Sequence, residues 1–273
     1  CVMAGFLMTT VFTWALQTEL AKNEANELLE LNMSDVREDI LDTSNENLLR
    51  IARRIALRLD DADAITAELL SELKDEFDMA EINLIDANGV ITLSTHSDFI
   101  GYDMHGGEQS AEFLVLLDGE INEFVQRYQP TSSDPTILRK YAGVRLEGGG
   151  FVQAAYDARR FRRDIDDAVI GATRNRHVGE NGSIIIAGED WNIVSDRHGN
   201  EGENLDVSGI YIDRTTMPES EMFEAVVYGS EAFCSYIVSE GYYIVAAIPQ
   251  TEAMFSRSVP SVSFSMSEAM VRI

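Results

Sequence analysis

Apolar residues return every three or four positions along the first sixty residues: Leu16, Leu20, Leu28 and Leu31, then Leu48, Ile51, Ile55 and Leu59. That spacing lays one apolar stripe along a helix. Neither glycine nor proline occurs between Gly5 and Gly89, so nothing local forces a break. Residues 1–18 carry no charge, and Glu19 is the first ionisable side chain. The pattern predicts a transmembrane helix over 1–18, truncated at its start. Over 19–76 it predicts a long spine helix, about 60 Å from residue 20 to 59 at ~1.5 Å per residue, and a shorter helix. Ile65, Leu69, Leu70 and Leu73 mark one face of the shorter helix. The competing reading of 1–18 is a hydrophobic core helix, because eighteen uncharged residues sit at the low end for a membrane span.

Beyond Glu76 the period changes to that of strands. Residues 81–94 form two apolar runs around Asn88-Gly89, a strong short hairpin signal. A helical stretch at 109–118, a strand-leaning run at 123–129 and a loop rich in Pro, Ser and Asp at 130–135 follow. A second predicted hairpin joins 141–145 to 151–156 around Gly148-Gly149-Gly150. Residues 158–171 read as a helix with i,i+4 pairs Arg160–Asp164, Arg162–Asp166 and Arg163–Asp167.

Then the pattern starts over. Residues 182–195 repeat the hairpin of 81–94, and 240–249 repeat 148–157. Two matched hairpins in matched order mean two copies of one small module, about 80–157 and 182–249. The predicted fold class is α+β. It comprises the long N-terminal helix, a first antiparallel-sheet module (77–157), a connector helix and loop (158–181), a second module (182–250) and a helical return toward the membrane (251–273).

Composition narrows the function. Apolar residues at 45% can supply an ordinary core, and a net charge of −26 disfavours nucleic acid or an anionic surface as partner. An acidic, lysine-poor chain after the apolar run suits the extracytoplasmic side of a cell membrane. Only Lys22, Lys74 and Lys140 accompany the arginines. Cys1 and Cys234 define no disulfide framework, and Cys234 reads as a small buried residue. Residues 1–18 show no basic region or small-residue cleavage site, so they are not expected to be a removable signal peptide.

No nucleophile elbow, phosphate-binding loop, dinucleotide fingerprint or HExxH occurs, so no enzyme activity and no cofactor is expected. His96, Asp98, Asp103 and His105 can be drawn as a metal site. Their loop is rich in glycine and polar residues, which favours solvated side chains. Asp86-Ala87-Asn88-Gly89 lacks the remaining ligand positions of a calcium loop and reads as a turn. What remains is a pocket. In the first module the candidate ligand-binding residues near the sheet are Arg127, Tyr128, Tyr141, Arg145, Tyr156 and Asp157. Arginine pairs bidentately with a carboxylate and aspartate accepts from an ammonium, so a small carboxylate- or amine-bearing molecule is the expected ligand. The matching strands of the second module, 235–238 and 243–247, contain no arginine, which assigns that module a supporting role.

The order of a membrane helix, a long helix and two strand-rich modules joined by a helix resembles the double-Cache (dCache, PAS-like) sensor domain of bacterial transmembrane receptors. The closing run Tyr242–Pro249 and the turn Asp86–Gly89 resemble that family's end and first hairpin. The resemblance covers roughly 15–255. It implies PAS-like sheets, a small ligand in the membrane-distal first module, no catalysis in this portion and a cytoplasmic output unit. That unit would be a kinase, phosphatase, cyclase or chemoreceptor signalling domain. The family's amino-acid-binding subgroup carries Arg-x-Trp-Tyr. The nearest stretch here, Arg127-Tyr128-Gln129-Pro130, has no tryptophan, which puts a plain amino acid in doubt. The stripe from Leu20 to Leu31 further predicts a homodimer through the spine helix. Rival readings are a membrane-anchored hydrolase and a ligand-free structural or adhesion module.

Overall fold

The computed structural model describes residues 2–132 and 134–255. One uninterrupted helix, α1 (Val2–Asp60), leads, and α2 (Ala67–Glu76) follows, capped by the Thr66 hydroxyl that accepts from the Leu69 amide. Among the described residues no helix is long and apolar enough to cross a membrane.

Two antiparallel sheets follow. The first contains β1 (Glu81–Ile85), β2 (Ile91–Ser94), β3 (Glu123–Val125), β4 (Gln129–Pro130), β5 (Leu138–Arg145) and β6 (Phe151–Tyr156). A short α3 (Glu108–Ala111) and a 3₁₀ turn over 112–116 lie between β2 and β3. The connector α4 (Ala158–Thr173) leads to the second sheet: β7 (Ser183–Ala187), β8 (Ile193–Ser195), β9 (Phe223–Val227), β10 (Ser230–Ser239) and β11 (Tyr242–Pro249). Helix α5 (Gln250–Phe255) closes the described residues, and the rest of the segment expected to return to the membrane, 256–273, lies outside them.

The duplication predicted from the hairpins is present to the level of register. The strand orders β2-β1-β6-β5-β3 and β8-β7-β11-β10-β9 are the same. Ile85 and Ala187 sit at matching bulges, where each first hairpin twists. Ile91 N–H donates to Tyr102 O in one module, and Ile193 N–H to Glu203 O in the other.

Each sheet has two unlike faces, because alternate side chains point opposite ways. Ile82, Val152, Ala154 and Tyr156 of the first sheet, and Ile184, Ile186, Ile244 and Ala246 of the second, share one core with α1. The opposite faces form separate cores, one around Phe113, Leu116 and Phe151 and one around Cys234, Tyr236 and Tyr243. The far end of α1 carries the first module: Arg53 donates to both oxygens of Glu123 at 2.7 Å, and the Glu147 amide donates to Asp60 at 3.1 Å. The second module grips the earlier half through Lys22–Glu224 (3.1 Å), and the connector through Arg176–Asp39.

The buried line on α1 differs from the predicted stripe in its first half. It runs Ala21, Ala25, Leu29, Met33, Val36, Ile40, Ser44 and Leu48, whereas Leu16, Leu20 and Leu31 are exposed and Leu28 is half-buried. Small alanines let the second sheet approach the helix closely, so the large leucines are turned outward. Arg160, Arg162, Arg163 and Asp166 of α4 also reach beyond their own helix. Arg162 donates to Gly241 O at 2.7 Å and lies over the Tyr242 ring, while Asp166 accepts from the Tyr242 hydroxyl at 2.6 Å. Arg160 and Arg163 reach Asp78, whose carboxyl the Arg163 guanidinium holds below the usual range. The partners Asp164 and Asp167 lie outside the described side chains.

The turn before β6 depends on one glycine. Gly150 has φ +74°, and a Cβ there would meet Ile85 O at 2.1 Å, whereas a Cβ at Gly149 (φ +91°) meets nothing. Gly150→Ala is expected to cost about 2–4 kcal/mol, against about 1 for Gly149→Ala. Urea denaturation compares the two; equal midpoints would remove the contact with Ile85 O as the cause.

Candidate functional site

The first module's outer face is not filled. A cavity of about 420 Å³ opens between β1, β5, β6 and the segments over 99–110 and 126–132. Its sheet wall is polar, since Glu81, Asn83, Tyr141 and Gln153 point inward from three adjacent strands. Opposite stand Phe99, Tyr102, Met104 and Gln109, and Ile91, Ser110, Gln126, Thr131 and Ser132 also line it.

The sheet wall is a hydrogen-bonded ladder. Asn83 Nδ2 donates to Glu81 Oε1 at 2.5 Å and to Gln153 Oε1 at 3.1 Å, and Ser94 Oγ donates to Asn83 Oδ1 at 2.6 Å. Glu81 is 7% exposed. Burial pushes its carboxyl above the usual carboxylate range, although Asn83, Arg139, His96 and Tyr141 pull the other way. Its second oxygen, Oε2, receives a 3.4 Å bond from the Tyr141 hydroxyl. A bond of that length is weak, so Oε2 retains acceptor capacity. Burial and the Glu81 charge hold the Tyr141 phenol well above its ordinary value. No lysine, arginine or histidine is among the described residues lining the cavity. Arg139 lies two residues before Tyr141 on the same strand face and acts on Glu81 through space.

The opposite wall is held from outside. Gln126 Nε2 donates to Gln109 O at 2.6 Å and Glu112 Oε2 at 2.8 Å, and the Ser132 amide donates to Gln109 Oε1 at 2.9 Å. These bonds join Gln109 and Glu112 to the 126–132 segment, which β4 in turn pairs to β5.

Of the six residues predicted for the pocket, the structure brings Tyr141 to the cavity. Tyr128 is stacked on Phe161 at 4.4 Å, and burial lifts its phenol to about 12. Tyr156 is fully buried on the spine side, and Asp157 caps α4 by accepting from the Arg160 amide at 2.8 Å. Arg127 and Arg145 are exposed, and a Cβ at Gly119 would lie 2.6 Å from the Arg145 guanidinium. Strand alternation sends Tyr156 to the opposite face from Gln153. Asp103 accepts from the His105 amide at 3.0 Å, and the His96 ring stacks on Phe99 at 4.7 Å.

Glu81, Asn83 and Gln153, cavity residues outside the predicted six, carry a signal that only aligning the two copies exposes. Their counterparts by register are Ser183, Ile185 and Val245. Gly143, beside Gln153, corresponds to Tyr236, beside Val245. Where the first module keeps a polar-walled cavity, the second packs Tyr236, Tyr243 and Trp191, with Trp191 and Tyr243 stacked at 4.1 Å. Gly143 has its own constraint, since a Cβ there would meet Leu116 at 2.7 Å and Phe113 at 2.9 Å.

No protein-family model matches the chain, and no curated protein matches it. Solved structures do. The sensory domain of the Campylobacter jejuni chemoreceptor Tlp3 (CcmL) with isoleucine bound is 13% identical, with TM-score 0.41, covering 89% of this chain and 98% of that one. The extracellular domain of the putative histidine kinase rpHK1S-Z16 is 14% identical, with TM-score 0.38, covering 86% and 98%. An extracellular ligand binding receptor from Desulfohalobium retbaense DSM5692 is 17% identical, with TM-score 0.36. That match covers 82% of this chain, which spans 40% of the receptor's length.

Proposed function

We propose that the chain is the extracytoplasmic sensor portion of a membrane-anchored receptor, of double-Cache type, whose first module binds a small ligand bearing a cationic amine. The observation that carries the ligand class is Glu81, a buried carboxylate facing the cavity with acceptor capacity left on Oε2. An ammonium there replaces lost hydration with a charge-assisted hydrogen bond, and Phe99, Tyr102 and Tyr141 line the same cavity. A second reading, an amino acid with its carboxylate toward Arg139, is favoured by that arginine's place on the cavity face. Binding rather than catalysis fits a wall whose polar groups are amides, a phenol and one acid. The membrane anchor is supported by the uncharged run at the chain's start. Pairing of the spine helix is supported by Leu16, Leu20 and Leu31, which face outward on α1. Output through a cytoplasmic unit follows from the same reading: ligand would shift the spine by differential affinity for two arrangements.

Calorimetry with primary alkylamines, diamines and L-amino acids tests the ligand class. Glu81→Gln is expected to abolish amine binding, at least a hundredfold. The same substitution is expected to stabilise the free protein at pH 7 by about 1 kcal/mol. The sign follows from the raised carboxyl: its protonated form is favoured on folding, so Glu81's contribution is fully present at low pH and lost as pH rises through the folded value. Equal heats for wild type and Glu81→Gln would remove Glu81 from the site. Binding of L-amino acids, lost in Arg139→Gln and not matched by simple amines, would favour the second reading.

A further inference from the structure

The seam between the two modules contains a buried ion pair that the repeat does not explain. Lys140 on β5 points to the spine side, and its Nζ donates to Glu240 Oε2 at 2.6 Å; the two side chains are 0% and 1% exposed. Glu240 comes from the β10–β11 turn of the second module, where its backbone has φ +52°. A glutamate there is held in a conformation glycine would adopt more readily. Its carboxylate also accepts from Ser44 Oγ on α1 at 3.0 Å and from the Tyr128 amide at 3.3 Å. In the second module the position matching Lys140 is Phe233, so the charge is peculiar to this junction.

Three things meet at that carboxylate. Lys140 adjoins Tyr141, which lines the cavity, and the Tyr128 amide lies within the 126–132 segment that forms the opposite wall. Ser44 lies on the spine helix. Replacing a buried ion pair with apolar groups is often neutral for stability, so stability alone does not account for this pair, which instead fixes one arrangement of the three segments it joins. We infer that Glu240 of the second module is a positioning residue for the first module's cavity. It ties both cavity walls to the middle of α1, so that a change in the cavity and a shift of the spine are one event. The inference rests on the cavity being the ligand site, but its test requires no ligand and fails separately.

Native-state hydrogen exchange on the whole chain reads it. In Lys140→Met/Glu240→Leu, which removes both charges, the melting temperature is expected to stay within a few degrees of wild type. Exchange is expected to rise at least tenfold over 126–132 and over 41–48, while 82–85 and 184–187 keep their rates. Unchanged rates, acceleration in one segment alone or a uniform rise across the chain would overturn the inference. Should the double variant not fold, Glu240→Gln, which keeps the size of the side chain, is read by the same criteria.

Discussion

Lys140→Met alone is expected to destabilise the protein by about 3–5 kcal/mol, because it leaves the Glu240 carboxylate buried without its cation. With Lys140 and Glu240 fully enclosed, water cannot replace the lost partner. Burial already pulls the Lys140 ammonium below its ordinary value, which the attraction of Glu240 opposes. In a chain of this size the loss corresponds to a fall of roughly 10 °C in melting temperature. Calorimetric melting at pH 7 measures it, and a change below about 1 kcal/mol would mean that solvent reaches the pair. The contrast with the double apolar variant is the sharper reading. Removing one charge should cost far more than removing both.

Phe161→Ala is the second large loss, about 3–5 kcal/mol. Phe161 is fully buried on α4, stacked against Tyr128 of the first module at 4.4 Å, with Tyr242 of the second at 6.4 Å. The Tyr128 hydroxyl is buried without a hydrogen-bond partner among the described residues. It is therefore the ring of Tyr128 that the seam uses, and deleting Phe161 leaves that ring facing a void. Urea denaturation of Phe161→Ala against Phe161→Leu, which keeps most of the volume, separates cavity from ring contact. A loss under about 1 kcal/mol in Phe161→Ala would show that neighbouring side chains collapse into the space.

The two predictions share a location, and that location shows how far the chain could be read without its structure. Lys140 and Glu240 are a hundred residues apart, and Phe161 sits in a helix that looks self-neutralised on its charged face. Local spacing contains nothing that brings them together. The same holds for α4, where Arg162 and Asp166 both turn to the β10–β11 hairpin at Gly241 and Tyr242.

Much of the fold was legible because it is written in short-range chemistry. Turn residues such as Asn88-Gly89 and Gly148-Gly149-Gly150 set the hairpins, strand periodicity set the sheets, and an unbroken run without glycine or proline set the spine helix. The repeat was legible for the same reason, since both copies use the same turns in the same order. The outward face of α1 was not. Leu16, Leu20 and Leu31 outrank Ala21 and Ala25 in hydrophobicity, but a sheet packs closest where side chains are smallest. Of the cavity's lining, one residue, Tyr141, was legible as a candidate. Glu81, Asn83 and Gln153 become a wall when three strands pair in register, and polar residues on a strand look alike whichever side they face. Local backbone preference and periodicity are properties of neighbouring residues, so the sequence alone determined the elements and their duplication. Which face of each element is buried, which module keeps a cavity and where the buried Lys140–Glu240 pair lies depend on contacts between distant segments, and only the packed chain decided them.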